Sequence, residues 1–427
     1  MSPSETPIAP QPDISTAKPP AAAGSAEALI LAPVDDPLVR PFRFHAPEED
    51  LVDLKRRIEA TRWPEREIVK DGTQGVQLAL MQKLAEYWAT DYDWRRCEAQ
   101  LNALPNFITE IDGLDIHFIH VRSKHENALP IIITHGWPGS PIEQLKIIDP
   151  LTNPTAHGGS ASDAFDVVIP SMAGYGFSGK PTAPGWDPVR MARAWTVLMK
   201  RLGYEQFTAQ GGDWGAFVTN EMARQAPPEL IGIHVNFPGF APASIVDALQ
   251  SGRPPTGLSG DEQRAFDQLM FLFRNIPTQQ MMAAHPQSLY GLADSPVALA
   301  AWMIDHDVAS YGHIAELFVD GIPYGDLTRD DILDNITLSW LTNTGVSSAR
   351  LYTELKGGFI HDLDIAVPAA VSVFPEEVFQ APRSWAERAF RNLLHFNALP
   401  KGGHFAAWEQ PTLFAEEVRQ GLRSLRQ

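Results

Sequence analysis

From about residue 107 onward the chain switches between two hydrophobic periods, and the order of the switches predicts its architecture. ITEIDGLDIHFIHV carries two alternating runs around Asp112-Gly113, the pattern of a β-hairpin. Residues 130–134 (PIIIT) and 166–170 (DVVIP) are short continuous apolar runs, as expected of strands buried on both faces. Helical patterns separate the later runs. DPVRMARAWTVLMKRLG precedes the strand-like start of FTAQGGDWGAF, AFVTNEMARQAP follows it, and LIGIHVNF is the next strand candidate. A hairpin followed by alternating strands and helices predicts an α/β fold, a mostly parallel sheet flanked by helices.

Between residues 238 and 345 the strand patterns stop. FDQLMFLF sets Phe266, Leu269, Met270 and Phe273 on one helical face, Ser295-Pro296 opens a helix, and Thr328 with Asp331 forms a capping-box pattern. A helical insertion in a β/α chain is a natural lid. Strand patterns return at VPAAVSVF and LLHFNALP, and LFAEEVRQGLRSL closes the chain as a helix. Ahead of the sheet, Leu51, Leu54 and Ile58 share a helical face that stops before Pro64, and a second helical stretch breaks near Asp91. The first residues are rich in Pro, Ala and Ser and lack the apolar content to pack. The expected organisation is a disordered tail over 1–36, a helical segment over 37–106, the α/β core over 107–237 and 346–427, and a helical cap over 238–345.

Composition narrows the function. A formal charge of -18 argues against a nucleic-acid partner and against adsorption to anionic membranes. Cys97 is the single cysteine, so no intrachain disulfide forms, and it reads as a small apolar filler. No apolar run reaches the ~18 residues of a membrane span, and no secretory signal opens the chain. The 13 histidines show no metal-ligand spacing, and neither a metal nor a cofactor is expected. A soluble, cytoplasmic protein is expected.

Candidate chemistry centres on Asp213. Gly211, Gly212 and Gly215, with the small Ala216, surround it at a strand-to-helix bend, as a nucleophile elbow requires, because a Cβ on the glycines would clash where strand and helix close up. The usual apex is Ser; here it is Asp, whose carboxylate attacks carbon and forms an ester on the enzyme. His135-Gly136-Trp137-Pro138-Gly139 leaves the end of the PIIIT strand, where such sheets place ligands. Its backbone, with that of the residue after the nucleophile, supplies an oxyanion hole assigned to the N–H groups of Trp137 and Trp214. His404, in a loop after the last strand pattern, fits the general base of a nucleophile–acid–histidine order. The acid that orients it comes from VSVFPEEVF, where position alone leaves Glu376 and Glu377 equivalent.

With these residues in place, the chain resembles the microsomal-type epoxide hydrolases of the α/β-hydrolase fold, from about residue 38 to the end. The motifs that carry the resemblance are RPFRF and RIEATRWP of that family's N-terminal segment, HGWPGS, GGDWG, LADSPVALAAW, SSARLY, FPEE and GGHFAAWEQP. The resemblance implies Asp213 as nucleophile, His404 as base, Glu377 as its acid partner, Tyr352 as a cap tyrosine donating to the epoxide oxygen, and a cis Trp137–Pro138 bond. It implies a small apolar epoxide and water as partners, opened to a diol through an Asp213 ester. Two departures stand out. A polar Pro/Ala tail replaces the membrane anchor of membrane-bound relatives, in keeping with a soluble enzyme. The family uses two cap tyrosines, and none lies at residues 276–282, where the first is expected; Tyr290 or Tyr311 takes its place, or Tyr352 acts alone. Losing one donor to a developing charge costs about 1.5–3 kcal/mol. Haloalkane dehalogenation by the same Asp is the alternative reaction, and a noncatalytic binding protein the alternative class. The N-terminal helices are expected either to shield the lid or to join subunits of a homo-oligomer.

Overall fold

Strand pairing gathers the apolar runs into a nine-stranded sheet in the computed structural model, which describes residues 38–355 and 358–426. The tail expected over residues 1–36 lies outside the described residues. The strands are β1 (Val39–Pro41), β2 (Asn106–Ile111), β3 (Leu114–Val121), β4 (Leu129–Thr134), β5 (Phe165–Pro170), β6 (Phe207–Gly211), β7 (Leu230–Val235), β8 (Ala369–Val373) and β9 (Leu393–Ala398). Their order is β1-β2-β3-β5-β4-β6-β7-β8-β9. The β1, β2, β3 and β5 neighbours pair antiparallel, and every pair from β5 through β4 to β9 is parallel.

The expected hairpin forms, with Asp112 at φ 54° and Gly113 at φ 77°. Two consecutive left-handed residues match the turn to the twist of its strands, which is why Asp-Gly occupies it. β4, β5 and β6 are almost wholly buried, as continuous apolar runs require. The chain ahead of the sheet is not helical throughout: Val39–Pro41 is a strand laid antiparallel on β2. Its three residues are too few for a period to show, so only the exposed edge of β2 decides their conformation.

Helices Leu78–Thr90 and Trp94–Ala103 are separate, with Asp93 capping the second through Arg95 N. They grip the cap helix Arg329–Leu341. Trp88 donates to Thr337, Tyr87 to Asp330 and Tyr92 to Asp334, while Arg96 holds both Asp334 carboxylate oxygens at 2.7 and 2.8 Å. The N-terminal segment thus braces the lid. The Thr328–Asp331 capping box and the Ser295 cap both form. Helical structure runs on from the cap through Leu351–Glu354, and it carries Tyr352. Among the described residues, no helix is long and apolar enough to cross a membrane.

Candidate active site

At the centre of the sheet, β4 and β6 are neighbours; β4 runs on to β5 on one side and β6 to β7 on the other, so connections from their carboxyl ends leave in opposite directions. A crevice opens there, and this is where open α/β sheets bind ligands. Residue 135 follows β4, residue 213 follows β6, and the two glutamates and His404 follow β8 and β9.

Asp213 stands between β6 and helix Trp214–Gln225 at φ 47°, ψ -126°. A non-glycine residue held there costs on the order of 1–3 kcal/mol and persists only where its surroundings force it. The forcing is visible in the packing. A Cβ on Gly211 would stand 2.0 Å from the Gly215 carbonyl oxygen, and one on Gly215 would stand 2.0 Å from the Thr134 oxygen. Gly212 would meet the Asn236 amide at 2.8 Å, and Gly136 would meet Asp213 Cβ at 2.5 Å. Side chains at these positions would push the carboxylate out of the crevice.

The Trp137–Pro138 bond is cis, and Trp137 N–H donates to Asp213 Oδ1 at 2.7 Å. His135 is a tether for this loop. Its Nδ1 meets the Gly136 carbonyl at 3.0 Å and its Nε2 accepts Met172 N–H at 3.1 Å, while burial pushes its pKa down to about 4 and keeps it neutral. Pro138 is held by its carbonyl, which accepts from Asn335 on the cap at 2.9 Å. The Trp214 N–H heads the helix that follows the nucleophile.

His404 is buried, with Nδ1 hydrogen-bonded to Glu377 and Nε2 3.3 Å from Asp213 Oδ2. Burial alone would lower its pKa, but the charges of Glu377 and Asp213 win and raise it well above the ordinary value. Burial would raise Asp213 in turn; the His404 hydrogen bond and charge, the His306 charge and the Trp137 N–H instead hold its carboxyl below 3.8. The structure also separates the two glutamates. Glu377 is fully enclosed against His404, whereas Glu376 accepts from Tyr324 and pairs with His313, both on the cap.

Tyr352 is buried with its ring edge-on to Trp137 and Trp214, at centroid distances of 5.7 and 4.8 Å. Burial and then the Asp213 charge push its phenol well above the usual value, so it stays protonated. Tyr290 is 68% exposed, and the Tyr311 hydroxyl accepts the Gln77 N–H at 3.3 Å, so neither joins this cluster.

Two groups here escaped sequence reasoning. Glu143 lies under the loop, where Oε1 accepts Gly136 N–H at 3.0 Å, and burial pushes its carboxyl up to about 8. His306 lies against His404, and Asp213, His306 and His404 each bring one ligand-capable atom within 4.8 Å of the others. The expectation of no metal-ligand set came from local spacing, and these three residues are gathered only by the fold. In sequence, Asp305-His306-Asp307 reads as an ordinary polar turn. An apolar cavity under the cap adjoins the cluster, lined by Pro138, Met303, Ile314, Leu327, Ile336 and Phe405.

Residues 39–144 match the family described as epoxide hydrolase N terminus, and residues 130–234 match the alpha/beta hydrolase fold. A Stigmatella aurantiaca protein provisionally named an epoxide hydrolase is 51% identical over 390 residues, covering 91% of this chain and 86% of its own. Epoxide hydrolase 1 of Oryctolagus cuniculus is 35% identical, over 90% of this chain and 89% of its own. Among solved structures, juvenile hormone epoxide hydrolase from Bombyx mori superposes with a TM-score of 0.79 at 27% identity, over 91% of this chain and 95% of that one. Aspergillus niger epoxide hydrolase gives 0.75 at 29% identity, over 90% and 96%.

Proposed function

Because this chain belongs to the epoxide hydrolases of the α/β-hydrolase fold, we propose that it opens a small apolar epoxide to a vicinal diol through an ester on Asp213. The observation that carries this reading is the unbroken line Glu377–His404–Asp213, with a backbone N–H on the free carboxylate oxygen. Asp213, ionised at neutral pH, attacks a ring carbon in line while Tyr352 donates a hydrogen bond to the departing oxygen. The apolar cavity beside the cluster suits an apolar substrate.

The charges around His404 time the second step. In the resting enzyme Asp213 and Glu377 together hold it protonated. Ester formation cancels the Asp213 charge, so that hold weakens, His404 gives up the proton it carried, and the neutral ring then takes one from water. Glu377 then stabilises the imidazolium that forms. Water attacks the ester carbonyl, and the N–H groups of Trp137 and Trp214 stabilise the tetrahedral oxyanion, each by on the order of 3 kcal/mol. An Asp apex suits this sequence of steps, since water clears an ester but not the ether that Ser would form.

The dehalogenase alternative is not favoured, since the family match at the N terminus and the relatives above are epoxide hydrolases. One turnover in heavy-oxygen water tests the covalent route. Label is expected in the Asp213 carboxylate before it reaches any diol; label entering the first diol directly overturns the ester.

A further inference from the structure

Asp213 is flanked by two imidazoles, each tethered at one nitrogen by an enclosed carboxylate. One pair is His404 on Glu377. In the other, His306 Nδ1 lies 2.9 Å from Asp307 Oδ2, and the two side chains are only 7% and 6% exposed. His306 sits in the turn between cap helices Pro296–Ile304 and Val308–Ala315, and Asp307 caps the second helix by accepting Ser310 N–H at 2.9 Å. The His306 ring lies 4.8 Å from the His404 ring, 5.4 Å from Phe405 and 5.7 Å from Trp137. It borders the apolar cavity on one side and the nucleophile on the other. With Nδ1 committed to Asp307, Nε2 is the nitrogen left for a ligand.

We propose that His306 is a catalytic residue of this reaction, its Nε2–H donating to the epoxide oxygen alongside the Tyr352 hydroxyl. This rests on the epoxide hydrolase reading above. One nitrogen of His306 lies within 4.8 Å of the Asp213 carboxylate, so the imidazole and the nucleophile face the same small volume beside the cavity. The two donors are unequal. Tyr352 is pressed to keep its proton by its burial and by the Asp213 charge, so it hydrogen-bonds without giving the proton up. An imidazolium is by nature the stronger acid. Asp307 is placed to pair with one, its enclosed carboxylate lying 2.9 Å from Nδ1.

The proton balance closes. In ring opening an Asp213 oxygen–carbon bond forms and the ring carbon–oxygen bond breaks. The electron pair goes to oxygen, which takes the proton from Nε2. Once Asp213 is esterified, the proton that His404 gives up restores His306; ester hydrolysis then consumes one water, frees the Asp213 carboxylate and returns one proton to His404. No co-reactant is needed.

Single-turnover kinetics with styrene oxide tests this, by following ester formation and ester hydrolysis separately by rapid quench and protein mass. His306→Leu is expected to slow ester formation about 100-fold while hydrolysis of the ester stays within about threefold. His306→Gln, which keeps a neutral N–H, recovers part of the loss. Asp307→Asn is the second variant: Asn caps a helix as well as Asp, so the fold is kept while the charge that holds the imidazolium is lost, and ester formation slows about tenfold. Ester formation at the wild-type rate in His306→Leu or Asp307→Asn overturns the proposal, as does equal slowing of both steps. A wild-type enzyme that never forms an ester overturns the epoxide reading itself, so the two failures are distinguishable.

Discussion

Replacing Glu377 by Gln removes one charge and almost no volume. Glu377 and His404 are 0% and 1% exposed, so neither is screened by water. Two opposite charges about 4 Å apart at an effective dielectric of about 20 attract by about 4 kcal/mol. That attraction is what stabilises the His404 imidazolium when it takes a proton from water, and its loss slows the step about 1,000-fold. Ester formation depends instead on an ionised Asp213, still held by Trp137 N–H at 2.7 Å, and is expected to stay within about tenfold of wild type. Glu377→Gln therefore accumulates ester. The assay is stopped-flow and quenched single turnover, with Glu376→Gln as the matched control. Glu376 faces His313 and Tyr324 on the cap, so its variant is expected to hydrolyse ester normally. Fast ester hydrolysis in Glu377→Gln, or a larger defect in Glu376→Gln, would refute the assignment of the acid.

Asp213→Ala is expected to abolish turnover, and His404→Gln to leave an enzyme heavier by one substrate in the mass spectrum; an unmodified His404→Gln protein after exposure counts against the ester. Tyr352→Phe is expected to slow ester formation more than hydrolysis, by a hydrogen bond of about 1.5–3 kcal/mol, and an unchanged rate removes the tyrosine from the mechanism. Gly215→Ala forces a Cβ to within 2.0 Å of the Thr134 oxygen, where only backbone movement gives relief. A loss of about 1–3 kcal/mol or more is expected in chemical denaturation. Arg96→Met strands Asp334, whose carboxyl burial already pushes up to about 6 despite Arg96. A carboxyl raised above its unfolded value is destabilising once ionised, so stability falls as pH rises from the unfolded pKa through about 6. With Arg96 one-third exposed, the loss is expected to be about 2–3 kcal/mol at pH 8 and smaller at pH 5. A melting-temperature deficit that ignores pH would contradict the ion-pair account.

The elbow and the hairpin were legible in the sequence because their requirements are local. Gly211 and Gly215 are read from the backbone atoms a Cβ would strike, and Asp112-Gly113 from the left-handed turn it adopts. The buried central strands were legible too, since continuous apolar runs have few other uses. Three features only the tertiary structure decided. The FPEE glutamates are adjacent, and neighbouring residues of an extended chain face opposite ways; pairing of Glu376 N–H with the Gly402 carbonyl sets which one turns inward, and it is Glu377. Val39–Pro41 is a strand because β2 offers it an edge, a property of a distant segment. His306 reaches Asp213 only because the cap folds back over the sheet, which no local period encodes. Short-range sterics and hydrophobic period belong to the sequence alone, whereas contacts made by closing long loops depend on the whole fold having formed.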